Sequence, residues 1–406
     1  MPSTLPDGDP APASGELPAS ALDGLGERPF GFYVHVPFCV TRCGYCDFNT
    51  YTASELGPGA SHRDYADTAI EEVRLARRVL GDADLPVETV FFGGGTPTLL
   101  PARDLARILG AIDEEFGLQP HAEVTTEANP ESVDPKYLEE LREGGFNRVS
   151  FGMQSAKEHV LQILDRQHTP GRAAQAVKEA RNAGFDHVNL DLIYSTPGES
   201  DDDWRASLEA AIAAEPDHVS AYSLIVEDGT KLAARIRRGE LPMPDDDVAA
   251  ERYLMADELL SGAGFAWYEV SNWATSEAGQ CRHNLLYWTG GDWWAVGPGA
   301  HSHVGGTRWW NVKHPAAYAQ RLAGGASPAH AREELTAADR RVERLMLELR
   351  LSSGFPLADV DPSVRTAVAQ ALGTGLLQPE PFKQGRMVLT LQGRLLADAL
   401  IRDLAV

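Results

Sequence analysis

At 406 residues the chain exceeds what one minimal core needs, which predicts two or three domains or one large barrel with an appendage. Its composition, 43% hydrophobic and 23% charged, is that of a globular protein, and a formal charge of −23 argues against nucleic-acid binding, which calls for a basic face. No apolar run approaches the length of a membrane span, and four cysteines are too sparse for a secreted disulfide framework.

Residues 1–29 are rich in Pro, Ala, Gly, Ser and acids. They lack the basic start and apolar centre of a signal peptide and are expected to form a disordered acidic tail. The expected location is therefore the cytoplasm. From residue 30 to about 240, six β-runs alternate with helical stretches. GFYVHVPF opens the series, followed by TVFFGGG, EVTTEAN, RVSFGMQS, HVNLDLIY and HVSAYSLIV. Strands alternating with helices give a parallel sheet. Six are too few for a closed eight-fold barrel, so a partial barrel or an open doubly wound sheet is predicted. Either would place a ligand where the strands' C-terminal ends open into loops.

A helix is predicted from Pro242 to Phe265, starting on an acidic cap. Residues 241–315 form a connecting extension, and seven of the eight tryptophans fall between Phe265 and Trp310. Residues 316–406 read as a C-terminal unit of helices with a small β-wing, similar to a winged helix. Such modules often bind nucleic acid, but fold alone does not license that function.

The polar features gather at the predicted strand ends. Cys39, Cys43 and Cys46 follow the first strand, and Gly93, Gly94 and Gly95 follow the second. Glu127 and Asn129 end the third, Gln154 ends the fourth, and Asp191 lies on the fifth. Thiolates are soft ligands and suit zinc, copper or an iron–sulfur cluster. A closed zinc site wants four donors, for which His35 or Cys281 would have to serve. A four-iron cluster on three cysteines instead leaves one iron open for a substrate or cofactor, since cluster irons are normally each held by a thiolate.

This three-cysteine loop after a first barrel strand resembles that of radical S-adenosylmethionine (SAM) enzymes. With YVHVPFC, GGGTPT, EANPE, RVSFGMQS, NLDLIYSTPGE, HNLLYW and GPGAHS, the chain is similar to oxygen-independent coproporphyrinogen III dehydrogenases and the related heme chaperones. The likeness covers nearly everything after the tail. It implies a partial (β/α)6 TIM-type barrel, a [4Fe–4S] cluster on Cys39, Cys43 and Cys46, and SAM on the open iron. Cluster reduction can then cleave SAM to a 5′-deoxyadenosyl radical. Tyr33, Phe48, Gly94, Gly95, Thr96, Glu127, Gln154, Arg166 and Asp191 are the cofactor-binding residues that the resemblance implies. Read from the residues alone, the glycine run is a tight turn without a phosphate-loop Lys, and Tyr33 could equally be core. Asp191 in an apolar strand is costly unless paired.

Within this group the dehydrogenase has a fourth cysteine two places after the third, where this chain has Phe48. The chaperone type has Phe there and carries His-Asn-x-x-Tyr-Trp, found here as His283, Asn284, Tyr287 and Trp288. Imidazole is a good axial ligand for heme iron, and Tyr287 and Trp288 could stack on the macrocycle. Cys281 is an alternative thiolate ligand. The resemblance thus implies a heme chaperone serving a respiratory membrane protein at the inner face of the membrane, as a monomer or a cluster-dependent homodimer. Two readings stand beside it: the dehydrogenase itself, and a zinc-stabilised binding protein. The sequence leaves open whether SAM cleavage is used.

Overall fold

The computed structural model describes residues 5–57, 61–166 and 169–405. In chain order its strands are Asp9–Pro10 (β1), Phe30–Val36 (β2), Val87–Gly94 (β3), Leu118–Ala128 (β4), Arg148–Gln154 (β5), His187–Tyr194 (β6) and His218–Ser223 (β7). These are followed by Ala266–Glu269 (β8), Asn272–Ala274 (β9), Asp292–Val296 (β10), His301–Val304 (β11), Thr307–Asn311 (β12), Ala329–Glu334 (β13), Phe355–Pro356 (β14) and Arg386–Met387 (β15). The first thirteen form one open sheet in the order β1-β13-β12-β11-β10-β2-β3-β4-β5-β6-β7-β9-β8.

β2 to β7 are the six predicted runs, and they pair in parallel in sequence order. This is the predicted partial α/β barrel. The strands read as near-continuous apolar runs because the connecting helices cover their outer face. The helix Ala102–Phe116 shows how: Leu105, Ile108, Leu109, Ile112 and Phe116 recur at three- and four-residue steps, and all are buried. Helix starts follow local chemistry. The Asp134 side chain accepts from the Tyr137 N–H, and Ser200 with Asp203 forms a capping box. The helix predicted from Pro242 runs Asp246–Gly262 behind the cap Asp245.

β10 adds a seventh parallel strand beside β2. The aromatic extension is therefore part of the sheet, continued by antiparallel β11, β12 and β13. β9 and β8 close the opposite edge, also antiparallel.

The expected disordered tail is corrected over residues 5–29; residues 1–4 lie outside the described residues. Asp9 and Pro10 pair with Arg332 and Ala331 of β13, and Ala21 is fully buried. Backbone pairing at a sheet edge needs no apolar side chains, so composition gave no sign of it.

The C-terminal unit also starts later than residue 316. Tyr318 and Leu322, on the helix Pro315–Ala323, pack on Leu75 of the helix Tyr65–Leu80, and β13 belongs to the main sheet. A second hydrophobic core runs from Leu345 to Leu404. It is mostly helical, and its wing is reduced to the two-residue strands β14 and β15. Among the described residues no helix is long and apolar enough to cross a membrane.

Candidate functional site

The parallel strands deliver Gly94, Glu127, Gln154, Asp191 and Tyr222 to one cleft of about 1210 Å³, which Cys39, Cys43 and Cys46 line from above β2. The cysteine loop is tied down at several points. The Cys39 N–H donates to the Tyr51 carbonyl at 3.0 Å, and the Gly44 N–H to that of Leu164 at 3.1 Å. Leu232 returns a bond to the Gly44 carbonyl at 2.8 Å.

All three thiols are free and partly buried. Burial pushes Cys39 up to about 11, although its side chain bonds Thr50 and Thr96, and pushes Cys46 up to about 12. Arg166 places a guanidinium at the loop: Nη1 lies 3.5 Å from the Cys43 sulfur, while Nη2 donates to the Gly152 carbonyl at 2.8 Å.

Among the described residues no three His, Cys, Asp or Glu side chains converge closely enough to hold a single metal ion. The fourth ligands considered for zinc are also engaged elsewhere. His35 bonds Tyr33 and the Asn49 carbonyl, and Cys281 faces Glu123 at 3.6 Å. The three thiols line one cleft with room for a body larger than one ion.

The strand ends beside Cys39 fit a polar organic ligand. Gly94 has φ +106°, and a Cβ on Gly95 would meet the Phe38 carbonyl oxygen at 2.4 Å, so the backbone there is bare by necessity. The Gly94 N–H donates to Glu127 Oε2 at 3.1 Å. Burial, reinforced by nearby Asp191, pushes the Glu127 carboxyl up to about 8. Asp191 is also raised by burial, against bonds from Ser150 at 2.8 Å and Asn189 at 2.8 Å. Gln154 is held at φ +63°, and among the described residues neither its buried Oε1 nor the buried Arg166 Nε has a hydrogen-bond partner. Strained backbone and unpaired buried polar atoms are features of a ligand clamp. Thr96 lines the same cleft, and Phe48, 56% exposed, stands at its mouth.

The expected heme ligands are placed elsewhere. Cys281, His283 and Tyr287 line a second, smaller cavity of about 300 Å³ inside the barrel, as does Tyr33, which is expected beside SAM and does not line the cysteine cleft, and Phe48, Gly94, Glu127 and Asp191 border both spaces. His283 is 1% exposed, and both ring nitrogens are bonded, Nδ1 to Thr89 and Nε2 to Tyr287, each at 2.8 Å. Burial pushes it down to about 3. As it stands, His283 offers no free nitrogen to an axial position. Trp288 lines neither space and bonds Glu269 instead.

Residues 33–211 match the family model for the radical SAM superfamily. The chain is 54% identical to the "heme chaperone HemW" of Mycobacterium tuberculosis, over 96% of this chain and 97% of that one. It is 34% identical to the HemW of Synechocystis over 85% and 84% of the two chains. The chain belongs to the HemW family of radical SAM proteins. Its fold is that of the coproporphyrinogen III oxidase HemN of Escherichia coli, with a TM-score of 0.80 at 21% identity, covering 95% of this chain and 92% of that one.

In this HemW-family chain, sequence reasoning missed Tyr222 and the polar set under Asp191. Ser150, Asn189 and His218 sit opposite one another on β5, β6 and β7, and their bonds hold Asp191 in place. The available signal was a polar residue recurring at one register position across three apolar strands.

Proposed function

We propose that the chain is a heme chaperone that holds a [4Fe–4S] cluster on Cys39, Cys43 and Cys46, binds SAM beside it, and delivers heme to a respiratory membrane protein. The observation that carries this reading is the 54% identity, across 96% of the chain, to a protein named as a heme chaperone. The residues fit the groups. Free thiols face one cleft, a bare glycine backbone lies beside Cys39, and polar atoms of Gln154 and Arg166 with no partner among the described residues lie buried at its wall.

When bound, the cluster would supply an electron and an open iron for the amino and carboxylate groups of SAM. The chain's own part is to hold and orient. Arg166 steadies the Cys43 thiolate by charge. Gly94, Gly95 and Thr96 let backbone approach the methionine end. Glu127 and Asp191 accept bonds from hydroxyls or face the positive sulfonium, and Gln154 supplies a further polar contact. Heme ligation by His283 would require Thr89 or Tyr287 to release a ring nitrogen, so Cys281 and His283 stand as ligands of a rearranged state. We place the protein in the cytoplasm, meeting its acceptor at the inner face of the membrane, as a monomer or a cluster-dependent homodimer.

The dehydrogenase reading is disfavoured by Phe48, which fills the fourth-cysteine place and lines the cleft. Anaerobic absorbance titration of the cluster-reconstituted chain with heme, followed by incubation with coproporphyrinogen III, SAM and a reductant, tests the proposal. Saturable heme binding without conversion is expected. Turnover of the porphyrinogen, or no heme binding in any redox state, would overturn it.

A further inference from the structure

The GPGAHS segment carries no role in the site as described, yet it reaches the cysteine loop. Asn49 lies three residues past Cys46, and its Nδ2 donates to the carbonyls of Pro298 at 2.9 Å and Lys313 at 2.8 Å. Its Oδ1 accepts from the Tyr51 hydroxyl at 3.1 Å, and its own carbonyl accepts from His35 Nε2 at 2.9 Å. The other His35 nitrogen faces the Tyr33 hydroxyl at 3.0 Å, and the Tyr65 hydroxyl donates to the His35 carbonyl at 2.6 Å.

Three glycines make room for this pair, each with a positive φ. A Cβ on Gly94 would meet the His35 ring at 2.6 Å, one on Gly297 the His35 carbonyl at 2.4 Å, and one on Gly299 the Asn49 Nδ2 at 2.6 Å. Behind them Gly297 donates to the buried Glu72 at 2.8 Å, so the receiving loop is itself fixed to the helix Tyr65–Leu80.

We propose that Asn49, clamped between His35 and the 297–313 segment, is the positioning residue that sets the C-terminal half of the cluster-binding loop. The inference rests on the cluster reading above. Three thiols can share one rigid cluster only if their loop is held to its shape, and groups that orient metal ligands typically tune affinity by about 10–100-fold. Leu164 and Leu232 hold the middle of the loop at Gly44, and Asn49 holds its exit. The anchor is 249 residues away in sequence, so the aromatic extension would complete the site without touching the ligand.

The test compares Asn49→Ala and Tyr51→Phe with the unaltered chain after anaerobic reconstitution. The milder Tyr51→Phe removes only the hydroxyl that bonds Asn49 and Lys313. Iron loss to an excess of chelator and the electron paramagnetic resonance spectrum of the reduced cluster are read, with melting of the cluster-free proteins as the structural control. About tenfold faster iron loss in Asn49→Ala, a smaller increase in Tyr51→Phe, and altered spectra in both are expected, with cluster-free melting close to the parent's for Tyr51→Phe. If both variants lose iron at the parental rate with the parental spectrum, the inference is overturned while the cluster reading stands. If the unaltered chain takes up no iron and sulfide, both are overturned.

Discussion

Glu127 shows how a carboxyl buried at the cleft wall weakens the fold that holds it. Its carboxyl is raised from 4.5 to about 8, first by burial and then by Asp191. Between those values the folded chain keeps the proton and the unfolded chain releases it. Stability therefore falls as pH rises through this window, and the full penalty is present above pH 8. After discounting for solvent at the cleft wall, the penalty is on the order of 2 kcal/mol. Glu127→Gln removes the ionisable group and keeps its shape. The cluster-free variant is expected to be more stable than the parent at about pH 8.5, and to show a flatter dependence down to about pH 5, while binding SAM more weakly. Urea denaturation at the two pH values checks this, and an unchanged slope would refute it. At this scale much of the site was legible. Cysteine spacing and a lone acid in an apolar strand both pointed into the cleft. His283 was not legible, because nothing in HNLLYW reveals that Thr89, distant in sequence, occupies its Nδ1.

At the scale of elements, the N-terminal segment is the clearest departure from what composition suggests. Beyond the β1 pairing, Ser327 donates to the Ala13 carbonyl at 2.8 Å and Arg332 to that of Glu16 at 3.1 Å. A Cβ on Gly8 would meet the Trp310 ring at 2.7 Å, so this backbone lies directly on an aromatic face. A Pro-containing strand is suited to a sheet edge, where a missing N–H costs little. Its stabilisation comes from backbone bonds and from covering the extension, neither of which leaves a hydrophobic pattern to read. Removing residues 1–22 should bare the β13 edge and the Trp310 face. The truncated chain is expected to melt lower, by roughly 3 °C per kcal/mol lost, and to self-associate through the exposed edge. Differential scanning fluorimetry and size-exclusion chromatography report the two effects. A monomeric truncation with the parental melting temperature would show that the segment only rests on the surface. The six βα units were legible from strand–helix alternation. β10 was not, because an aromatic run of that kind reads equally well as a loop.

On the scale of the whole molecule, the two larger cores among the described residues, that of the barrel and that of the C-terminal unit, meet at the β8–β9 edge of the main sheet. Arg394, on the short helix Leu391–Leu395, donates to Asp257 at 2.8 Å and lies over the Trp267 ring at 3.8 Å. Trp273 donates to the same Asp257 oxygen at 3.0 Å, and the Ser352 N–H to the Tyr268 carbonyl at 2.8 Å. One guanidinium therefore engages both a carboxylate and an aromatic ring of the barrel unit. A stacked cation contributes about 1–2 kcal/mol, and Arg394→Ala would also strip Asp257 of a charged partner. The C-terminal core is small, so its cooperativity with the barrel depends on such links more than on its own burial. In calorimetry the parent is expected to unfold in one main transition. Arg394→Ala should split off an earlier, smaller one whose enthalpy matches the C-terminal unit, with the barrel transition little changed. A single transition merely shifted downward would instead mean that the two cores are coupled through the rest of the interface.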